Sequence, residues 1–373
     1  GDCCMTSMLR RASSTVARIS SWALSHEELE VDGRRIRVRD RVGEGGFAFV
    51  YLATDVIDEN KRFALKRMLC GEGEQLDMAQ KEVSIMCKLP AHPNIVALYS
   101  STQRDGPRGT EMIWLMEFCP ESLSGLLQRR LAEQNPLRTL EVLHVIIDVC
   151  RGLEVLHGQS PPLAHRDIKL ENVLYGEDGN WKICDFGSAT SRAQVYEDRR
   201  EVLEEEDRIQ RFCTPQYKAP EMCDLYQRKM INHKVDVWAA GCLLYLLCFE
   251  RLPFVDGNNL EILSGKYTFP SSSRHPPKLH YVIELCLTHD PDFRPEISQV
   301  REECAELAAS LTEHDAQPQL GSPVTTSPRV ALSIAPSPRG VLEPPPPHMP
   351  GPVPCGVGWS RYYSTDFNPK DQS

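Results

Sequence analysis

Apolar and polar positions alternate in short runs through the first third of the chain. These runs predict four strands, at Ile36–Arg39, Phe49–Ala53, Phe63–Lys66 and Met112–Met116. One segment between them has a different spacing, because Val83, Met86 and Leu89 recur at helical intervals. We therefore predict one helix, near Met78–Leu89, within an otherwise strand-rich region.

From Leu123 onward the spacing of apolar residues becomes helical. It predicts long helices at Leu140–His157, Val235–Phe249, Lys278–Thr288 and Ile297–Leu311. This order predicts an α+β fold with two lobes over residues 36–312. We expect a small, mainly antiparallel β N-lobe with one key helix at 36–118, and a larger helical C-lobe at 119–312.

Both ends of the chain have a composition that is typical of disorder. Residues 1–30 begin with a stretch rich in Ser and Arg, and residues 313–373 are rich in Pro and Ser, with a proline run at Pro344–Pro347. Such segments bury too little apolar surface to offset the entropy lost on ordering. We predict that both segments are disordered.

Composition narrows the classes of function. The formal net charge is -10 over 373 residues, whereas nucleic-acid binding needs a basic face, so we expect no nucleic-acid partner. The 14 cysteines include no Cys-x-x-Cys pair, which argues against a zinc site or a disulfide framework. No apolar core follows the arginines near the N-terminus, so we expect a reducing, cytoplasmic location.

A glycine-rich segment joins the first two predicted strands. Glycines let backbone N–H groups approach phosphate oxygens closely, so we predict that nucleotide phosphates bind here. The candidate contact residues are Val42, Gly43, Glu44, Gly45, Gly46, Phe47, Ala48, Phe49 and Val50. Taken alone, the segment also fits an ordinary hairpin turn. A dinucleotide-binding turn is a further alternative, although that motif requires a helix next and here a strand follows.

Lys66 ends a predicted strand after three apolar residues, which argues against a solvated surface lysine. An ammonium group at this position neutralises nucleotide phosphates when a carboxylate holds it in place. Glu82, on the predicted helix that follows, is the natural partner. We predict that Lys66 and Glu82 form a catalytic ion pair.

The densest motifs in the chain are HRDIKLEN at His165–Asn172 and DFG at Asp185–Gly187. Phosphoryl transfer requires a base near the attacking hydroxyl, positive charge beside the transferring group and oxygen ligands for Mg²⁺. Asp167 is the predicted base, and Lys169 is predicted to stabilise the γ-phosphate. The predicted metal ligands are Asn172 and Asp185. Chance does not readily produce these motifs at this spacing downstream of a glycine-rich loop and a strand lysine.

Together these motifs resemble those of the protein kinase superfamily over residues 36–311. The resemblance implies a bilobal protein kinase fold, with ATP and Mg²⁺ as cofactors and proteins as substrates. Lys169 and Thr214, whose hydroxyl is expected to bridge Asp167 and Lys169, match serine/threonine kinases rather than tyrosine kinases. The chain therefore resembles a non-specific serine/threonine protein kinase.

The same resemblance adds candidates for the adenine site and for structural support. The adenine contacts are expected to be Ala64, Met116 as gatekeeper, Glu117, Cys119 and Leu174. Asp236 is expected to hold the backbone of the HRDIKLEN segment, and Arg294 to pair with Glu221. His165 is interpreted as a core residue rather than a proton carrier.

A closer resemblance is to the Numb-associated kinase family. It rests on GEGGFAFV at 43–50, the Pro161-Pro162 pair, CDFGSAT at 184–190, TPQY at 214–217 and LLYLLCF at 243–249. Family members act in clathrin-mediated traffic, which implies clathrin adaptor subunits as substrates and a location on endocytic or Golgi-derived membranes. Their activation segments carry an extra helical element, and the charged run at 196–211 is long enough for one. A solvated charged surface is the simpler interpretation of that run.

The alternative function is a kinase-fold scaffold with little turnover. Inactive kinase relatives usually lack an equivalent of Lys66, Asp167 or Asp185, and all three are present here.

Cys184 precedes Asp185, and we expect it to react with a thiol-reactive ATP analogue.

Two partner hypotheses concern the ends of the chain. Gly1, followed by Cys3 and Cys4, is a candidate acylated N-terminus for peripheral membrane contact. The proline run at Pro344–Pro347 fits SH3 or WW partners, with a simple spacer as the alternative.

Overall fold

The structure is a computed structural model that describes residues 27–44, 48–71 and 73–316. Its first part is a six-stranded antiparallel sheet with strand order β1-β2-β3-β4-β6-β5. The strands are β1 (Glu28–Val31), β2 (Arg34–Glu44), β3 (Ala48–Asp55), β4 (Arg62–Cys70), β5 (Leu98–Gly106) and β6 (Gly109–Glu117). The four predicted strands lie within β2, β3, β4 and β6.

Alternating burial explains how this sheet forms and where it packs. In β4, Phe63 and Leu65 are buried on one face, in a small core with residues of β1, β2, β3 and β6. Successive residues of a strand point to opposite faces, so Lys66 lies on the other face. From that face Met112 and Trp114 join the main hydrophobic core of the molecule. The sheet therefore presents Lys66 toward the rest of the protein.

The predicted helix of the N-lobe is α1 (Glu74–Lys88), which begins earlier than predicted. Its first turn carries Glu74 and Asp77, which stabilise a helix N-terminus but give no apolar signal. Its buried stripe consists of Ala79, Glu82, Val83 and Met86. The glutamate therefore lies on the face of α1 that packs into the protein.

Strand β1 corrects the predicted disorder of residues 1–30, because it begins at Glu28. Leu29 and Val31 are buried, and Leu29 pairs with Ile36 of β2. Two apolar residues in alternation with charged ones are enough to form a strand here, because β2 supplies an edge with which β1 forms hydrogen bonds. Residues 313–316, also predicted to be disordered, continue the last helix of the described residues. The other residues of the predicted disordered ends, 1–26 and 317–373, lie outside the described residues.

The second part of the chain is mainly helical. Its helices are α2 (Leu123–Ala132), α3 (Thr139–His157), α4 (Arg199–Phe212), α5 (Pro220–Cys223), α6 (Lys234–Phe249), α7 (Asn259–Ser264), α8 (Pro277–Cys286) and α9 (Ile297–Ala316). The four long helices predicted from periodicity correspond to α3, α6, α8 and α9. A small sheet of β7 (Glu121–Ser122), β8 (Val173–Tyr175) and β9 (Trp181–Ile183) completes this part. The predicted α+β fold with two lobes is confirmed.

Helix α4 was not predicted from periodicity, and only the resemblance to the Numb-associated kinase family implied a helical element in this region. Its N-cap is Asp198, whose side chain accepts hydrogen bonds from the backbone of Arg200 and Glu201. Val202, Glu205 and Ile209 form its buried stripe. The helix thus covers most of the charged run at 196–211, and the interpretation of that run as a solvated surface is wrong for the buried stripe.

The chain between α1 and β5 crosses from one lobe to the other and back. Asn94 O accepts a hydrogen bond from Ile183 N at 2.9 Å, and Val96 N donates to Ile183 O at 3.0 Å. Residues 94–96 are therefore bonded to β9, in the small sheet of the C-lobe. Lys182 of β9 adds two contacts, because its Nζ donates to Pro93 O at 2.9 Å and forms an ion pair with Glu117, the last residue of β6, at 3.0 Å.

Helix α6 and most of the described cysteines lie in the core of the protein. The apolar helix α6 is buried along nearly its whole length, and no helix in the described ranges is long and apolar enough to cross a membrane. The cysteines that the structure describes are all free, and most of them are buried. They behave as small core residues, as their positions within apolar runs predict.

Candidate active site

The glycine-rich turn connects β2 and β3, as predicted from its place between two strands. Gly45, Gly46 and Phe47 lie outside the described residues, and the flanking candidates are Val42, Gly43, Glu44, Ala48, Phe49 and Val50. Gly43 pairs with Val50 across the two strands. Val50 in turn lies opposite Lys66 in β4. The strand register therefore sets the base of the turn beside the strand lysine.

Lys66 and Glu82 form the predicted ion pair. Lys66 Nζ lies 2.7 Å from Glu82 Oε1 and 2.9 Å from Oε2, and only 15% and 6% of the two side chains are exposed. The same nitrogen lies 3.5 Å from Asp185 Oδ1 and 5.1 Å from the centroid of the Trp114 ring. Groups from α1, β6 and the DFG segment therefore fix one ammonium group.

The charges of this group follow from its surroundings. Burial alone would lower the pKa of Lys66, but the carboxylates of Glu82 and Asp185 raise it well above its usual value. The Lys66 ammonium in turn lowers the pKa of Asp185. At neutral pH the site therefore holds a charged lysine and an ionised Asp185, the states that phosphate and metal binding require.

Asp167, Lys169 and Thr214 form a closed triangle of hydrogen bonds. Lys169 Nζ donates to Asp167 Oδ2 at 2.7 Å and to Thr214 Oγ1 at 3.0 Å. Thr214 Oγ1 donates to Asp167 Oδ1 at 2.7 Å. The expected bridge by Thr214 is present, so the predicted base is held by the activation segment as well as by its own loop.

Asn172 and Asp185 have donor atoms that suit a hard metal ion. Asn172 Nδ2 donates to Asp167 O at 2.8 Å and to Asp167 Oδ2 at 3.0 Å, which uses both amide hydrogens and leaves the amide oxygen as the ligand atom. Half of the Asp185 side chain is exposed. Cys184 N donates to Asn172 O at 3.0 Å, so Asp185 follows directly after a residue that is bonded to Asn172.

Asn172 and Asp185 suit a Mg²⁺ ion that is also bound by phosphates and water, rather than a metal ion bound by protein ligands alone. Within the described ranges, no group of three or more His, Cys, Asp or Glu side chains is placed to hold a metal ion. Mg²⁺ usually keeps several waters and binds through one or two carboxylates together with substrate phosphates. Two oxygen donors beside a phosphate-binding lysine are therefore a sufficient protein contribution.

A buried carboxylate holds the backbone of the HRDIKLEN segment. Asp236 Oδ2 accepts from His165 N at 2.7 Å, and Oδ1 accepts from Arg166 N at 2.8 Å. Arg166 has a positive φ of 67°, an uncommon conformation that these bonds stabilise. His165 is fully buried against Phe186, as expected for a core residue.

The residues predicted around adenine line the junction between the lobes. Their positions are Ala64 in β4, Met116 and Glu117 at the end of β6, Cys119 after it and Leu174 in β8. Ala64 pairs with Met116 across β4 and β6. Glu117 N donates to Ala97 O at 2.9 Å, so this N–H is already engaged by the protein. The adenine contacts stay predictions.

Cys184 has a chemical environment that disfavours its thiolate. Burial raises the pKa of this thiol well above its usual range, and the neighbouring Asp185 raises it further. Because the thiolate is the reactive form, this environment disfavours the expected reaction with a thiol-reactive ATP analogue, which stays a prediction.

Two ion pairs support the site from outside. Arg294 donates to both carboxylate oxygens of Glu221, at 2.7 and 2.9 Å, and both side chains are fully buried. This expected pair anchors the end of the activation segment. Arg166 donates to Glu205 of α4 at 2.5 Å, a pair that was not predicted. The available signal was the helical spacing of Val202, Glu205 and Ile209, which was masked by the surrounding charges.

Comparison with known proteins supports the same assignment. A family model described as "Protein kinase domain" matches residues 36–304. A probable serine/threonine-protein kinase of Dictyostelium discoideum is 41% identical over 285 residues, which are 75% of this chain and 35% of that protein. A second one from the same organism is 38% identical over 274 residues, 73% of this chain and 24% of that protein.

A third relative comes from a different organism. A serine/threonine-protein kinase of Schizosaccharomyces pombe is 33% identical over 329 residues, 85% of this chain and 33% of that protein. The chain thus spans about a quarter to a third of the length of these curated relatives.

The family match covers most of the chain and includes every predicted catalytic and metal-binding residue. The names of the relatives agree with the prediction of a serine/threonine rather than a tyrosine kinase. The chain belongs to the protein kinase family.

Proposed function

We propose that this chain transfers the γ-phosphate of ATP, with Mg²⁺, to serine or threonine hydroxyls of protein substrates. One observation carries the proposal: Lys66 contacts Glu82 and lies beside Asp185 at the same time. In protein kinases this lysine–glutamate pair and the DFG aspartate must both be in place for transfer. The chain has that arrangement.

The roles of its residues follow from the geometry. Lys66 holds the α- and β-phosphates, and Lys169 stabilises the charge on the transferring phosphoryl group. The substrate hydroxyl oxygen bonds to the γ-phosphorus, the bond from that phosphorus to the bridging oxygen breaks, and the hydroxyl proton passes to Asp167. Mg²⁺, held by Asn172 and Asp185, would neutralise phosphate charge. Thr214 and Lys169 keep the Asp167 carboxylate oriented before the substrate arrives.

The experiment is phosphate transfer from radiolabelled ATP to a generic protein acceptor. We expect the variant Asp185→Asn to transfer phosphate at least ~100-fold more slowly than the wild type, the usual effect of removing one electrostatic stabiliser. Asp292→Asn is the matched control, because Asp292 is exposed and lies far along the chain in the C-lobe. Equal rates for wild type and Asp185→Asn would favour the kinase-fold scaffold.

A finer proposal places the chain in the Numb-associated kinase family, with threonines of clathrin adaptor subunits as substrates. The quoted sequence motifs support it, and so does α4, since members carry an extra helical element in the activation segment. We propose a cytoplasmic location with peripheral contact to endocytic or Golgi-derived membranes. The candidate acylation residues Gly1, Cys3 and Cys4, and the proline run proposed for SH3 or WW partners, lie outside the described residues.

This finer proposal has its own test. Purified protein and ATP are incubated with an adaptor medium chain, and phosphorylated residues are mapped by mass spectrometry. Threonine phosphorylation faster than that of a generic acceptor supports the proposal. A rate equal to that of the generic acceptor would remove the adaptor assignment and leave the kinase function intact.

A further inference from the structure

We propose that Glu205 of α4 is a positioning residue for catalysis, which holds Arg166 and thereby the catalytic loop without a phosphate on the activation segment. The inference rests on the proposed kinase function and deepens it. Glu205 does not contact the reacting atoms. It acts through Arg166, whose neighbour in the chain is the base Asp167.

The Arg166–Glu205 pair is buried from both sides. The distance from Arg166 Nη1 to Glu205 Oε1 is 2.5 Å, with 3% of the arginine side chain and none of the glutamate side chain exposed. Glu205 Oε2 also accepts from Arg208 at 3.0 Å. Because a buried charge without a partner is strongly unfavourable, the buried Arg166 guanidinium requires the Glu205 carboxylate in this conformation, whereas Glu205 also has Arg208 as a partner.

The backbone of Arg166 transmits this constraint to the base. Arg166 N is bonded to Asp236, and its φ is positive, so the residue is fixed at its main chain and at its guanidinium group. Asp167 follows directly and has only 8% of its surface exposed. Loss of the guanidinium contact would release one of the two fixed points beside the base.

In many kinases a phosphorylated residue of the activation segment supplies the anion that pairs with such arginines. Here the carboxylate of Glu205 already occupies that role, and α4 contains no Ser, Thr or Tyr. Of the other hydroxyl-bearing residues of the segment, Ser191 is exposed, and the four named next are engaged or buried. Ser188 donates to Phe212 O at 2.8 Å, Thr214 binds Asp167, and the buried tyrosines are Tyr196 and Tyr217.

A cavity of about 310 Å³ beside the pair shows why an anion is required. Its lining comes from α1, from residues after the DFG motif and from α4, and its four cationic residues are Lys81, Arg166, Arg192 and Arg208. In the part of the chain that the structure describes, Nε and Nη2 of Arg166 have no hydrogen-bond partner. Glu74 and Asp77 are the two acidic residues of the lining, so cationic residues outnumber acidic ones. A Glu205 variant without the carboxylate would therefore leave a cavity of net positive charge that a small anion can enter.

The helix holds Glu205 in place independently of Arg166. Val202 and Ile209, on the same stripe, are buried at 2% and 3% exposure, and the Asp198 side chain caps the first turn. The position of the carboxylate is thus fixed by packing and capping. Phosphorylation is not needed to bring it to the arginine.

The test compares phosphatase-treated proteins that mass spectrometry shows to be free of phosphate. We expect wild type to retain its kcat after treatment, and Ser191→Ala, which removes an exposed hydroxyl of the segment, to match it. Glu205→Gln keeps the shape but not the charge, and we expect its kcat to fall roughly 10- to 150-fold, the equivalent of one lost hydrogen bond to a charged group. The KM for ATP should change little, because Lys66 and Glu82 are untouched.

Chemical rescue separates positioning from a general loss of structure. Glu205→Ala should regain kcat when millimolar acetate or inorganic phosphate is added, whereas the control Glu204→Ala, on the exposed face with 65% of its side chain accessible, should need no rescue. Melting temperatures measured in parallel identify any unfolded variant. If Glu205→Ala is unfolded, the kcat of the folded Glu205→Gln variant tests the inference.

Two results would overturn the inference while leaving the kinase function intact. One is a wild type that loses activity on phosphatase treatment, and the other is a Glu205→Gln variant with wild-type kcat. A wild type that transfers no phosphate before or after treatment would overturn the kinase function itself, and this inference with it.

Discussion

Thr214 accepts a hydrogen bond from Lys169 and donates one to Asp167, so one hydroxyl joins the activation segment to the base. We predict that Thr214→Val lowers kcat by about tenfold or more, because each lost bond to a charged group is worth ~1.5–3 kcal/mol. Thr214→Ser keeps the hydroxyl and should retain most of the activity. Steady-state kinetics on both variants provide the measurement, and similar losses in the two would show that the methyl group matters instead.

Asp236 predicts a specific dependence of stability on pH. Burial alone would raise its pKa, but hydrogen bonds from His157 and the loop backbone lower it below the usual value. A carboxylate with a lowered folded-state pKa stabilises the fold above the unfolded-state pKa of ~3.9. That stabilisation is lost as the pH falls through the folded-state value.

We therefore predict that Asp236→Asn lowers the free energy of unfolding by ~3 kcal/mol at pH 7. The difference from wild type should shrink below about pH 4, because the unfolded state then binds a proton that the native carboxylate still excludes. Thermal melts at several pH values measure it, with Asp292→Asn as the exposed control. A difference that stays constant down to pH 3 would exclude this linkage.

Residues in contiguous motifs were predictable from sequence, and partners that lie far apart in the chain were only partly so. Asp167, Lys169 and Asn172 share one loop, so their roles follow from spacing. The Lys66–Glu82 pair needed the assumption that a helix follows the strand, which holds. Glu205 was missed because a glutamate among other glutamates gives no sign of burial until the fold places an arginine opposite it.

The buried stripe of α4 makes a prediction about that helix. Ile209→Ala should lower the free energy of unfolding by about 2–5 kcal/mol, because the isoleucine side chain is buried and its truncation leaves a cavity. Leu203→Ala, on the exposed face with 52% accessibility, should change it by less than ~0.5 kcal/mol. Denaturant titration of both variants tests the orientation of the helix, and equal effects would contradict it.

The elements that sequence missed lack a strong apolar period. The face of α4 that packs inward carries Glu205 between Val202 and Ile209, so the hydrophobic pattern is interrupted where the function lies. β1 has only Leu29 and Val31 as apolar residues, and it is stable because β2 offers a free edge. Long helices such as α3 and α6 were predictable, because their apolar residues recur over many turns.

Metal and nucleotide should stabilise the molecule as a whole. A non-hydrolysable ATP analogue at 100 times its Kd should add about 2.7 kcal/mol to the free energy of unfolding, because only the folded state binds it. We predict that EDTA removes most of this gain, and that Asp185→Asn shows no dependence on Mg²⁺. Thermal melts give the measurement, and a gain unaffected by EDTA would argue against metal-assisted binding.

The bonds between residues 94–96 and β9 determine how the two lobes can move. The polypeptide crosses between the lobes at three places: before residue 94, after residue 96 and beyond Glu117. Three chain segments therefore form the hinge. Such a hinge resists twisting more than it resists flexing. Opening of the lobes would then move Lys66 and Glu82 together away from Asp185. The distance from Lys66 Nζ to Asp185 Oδ1, 3.5 Å here, would therefore increase as the lobes open.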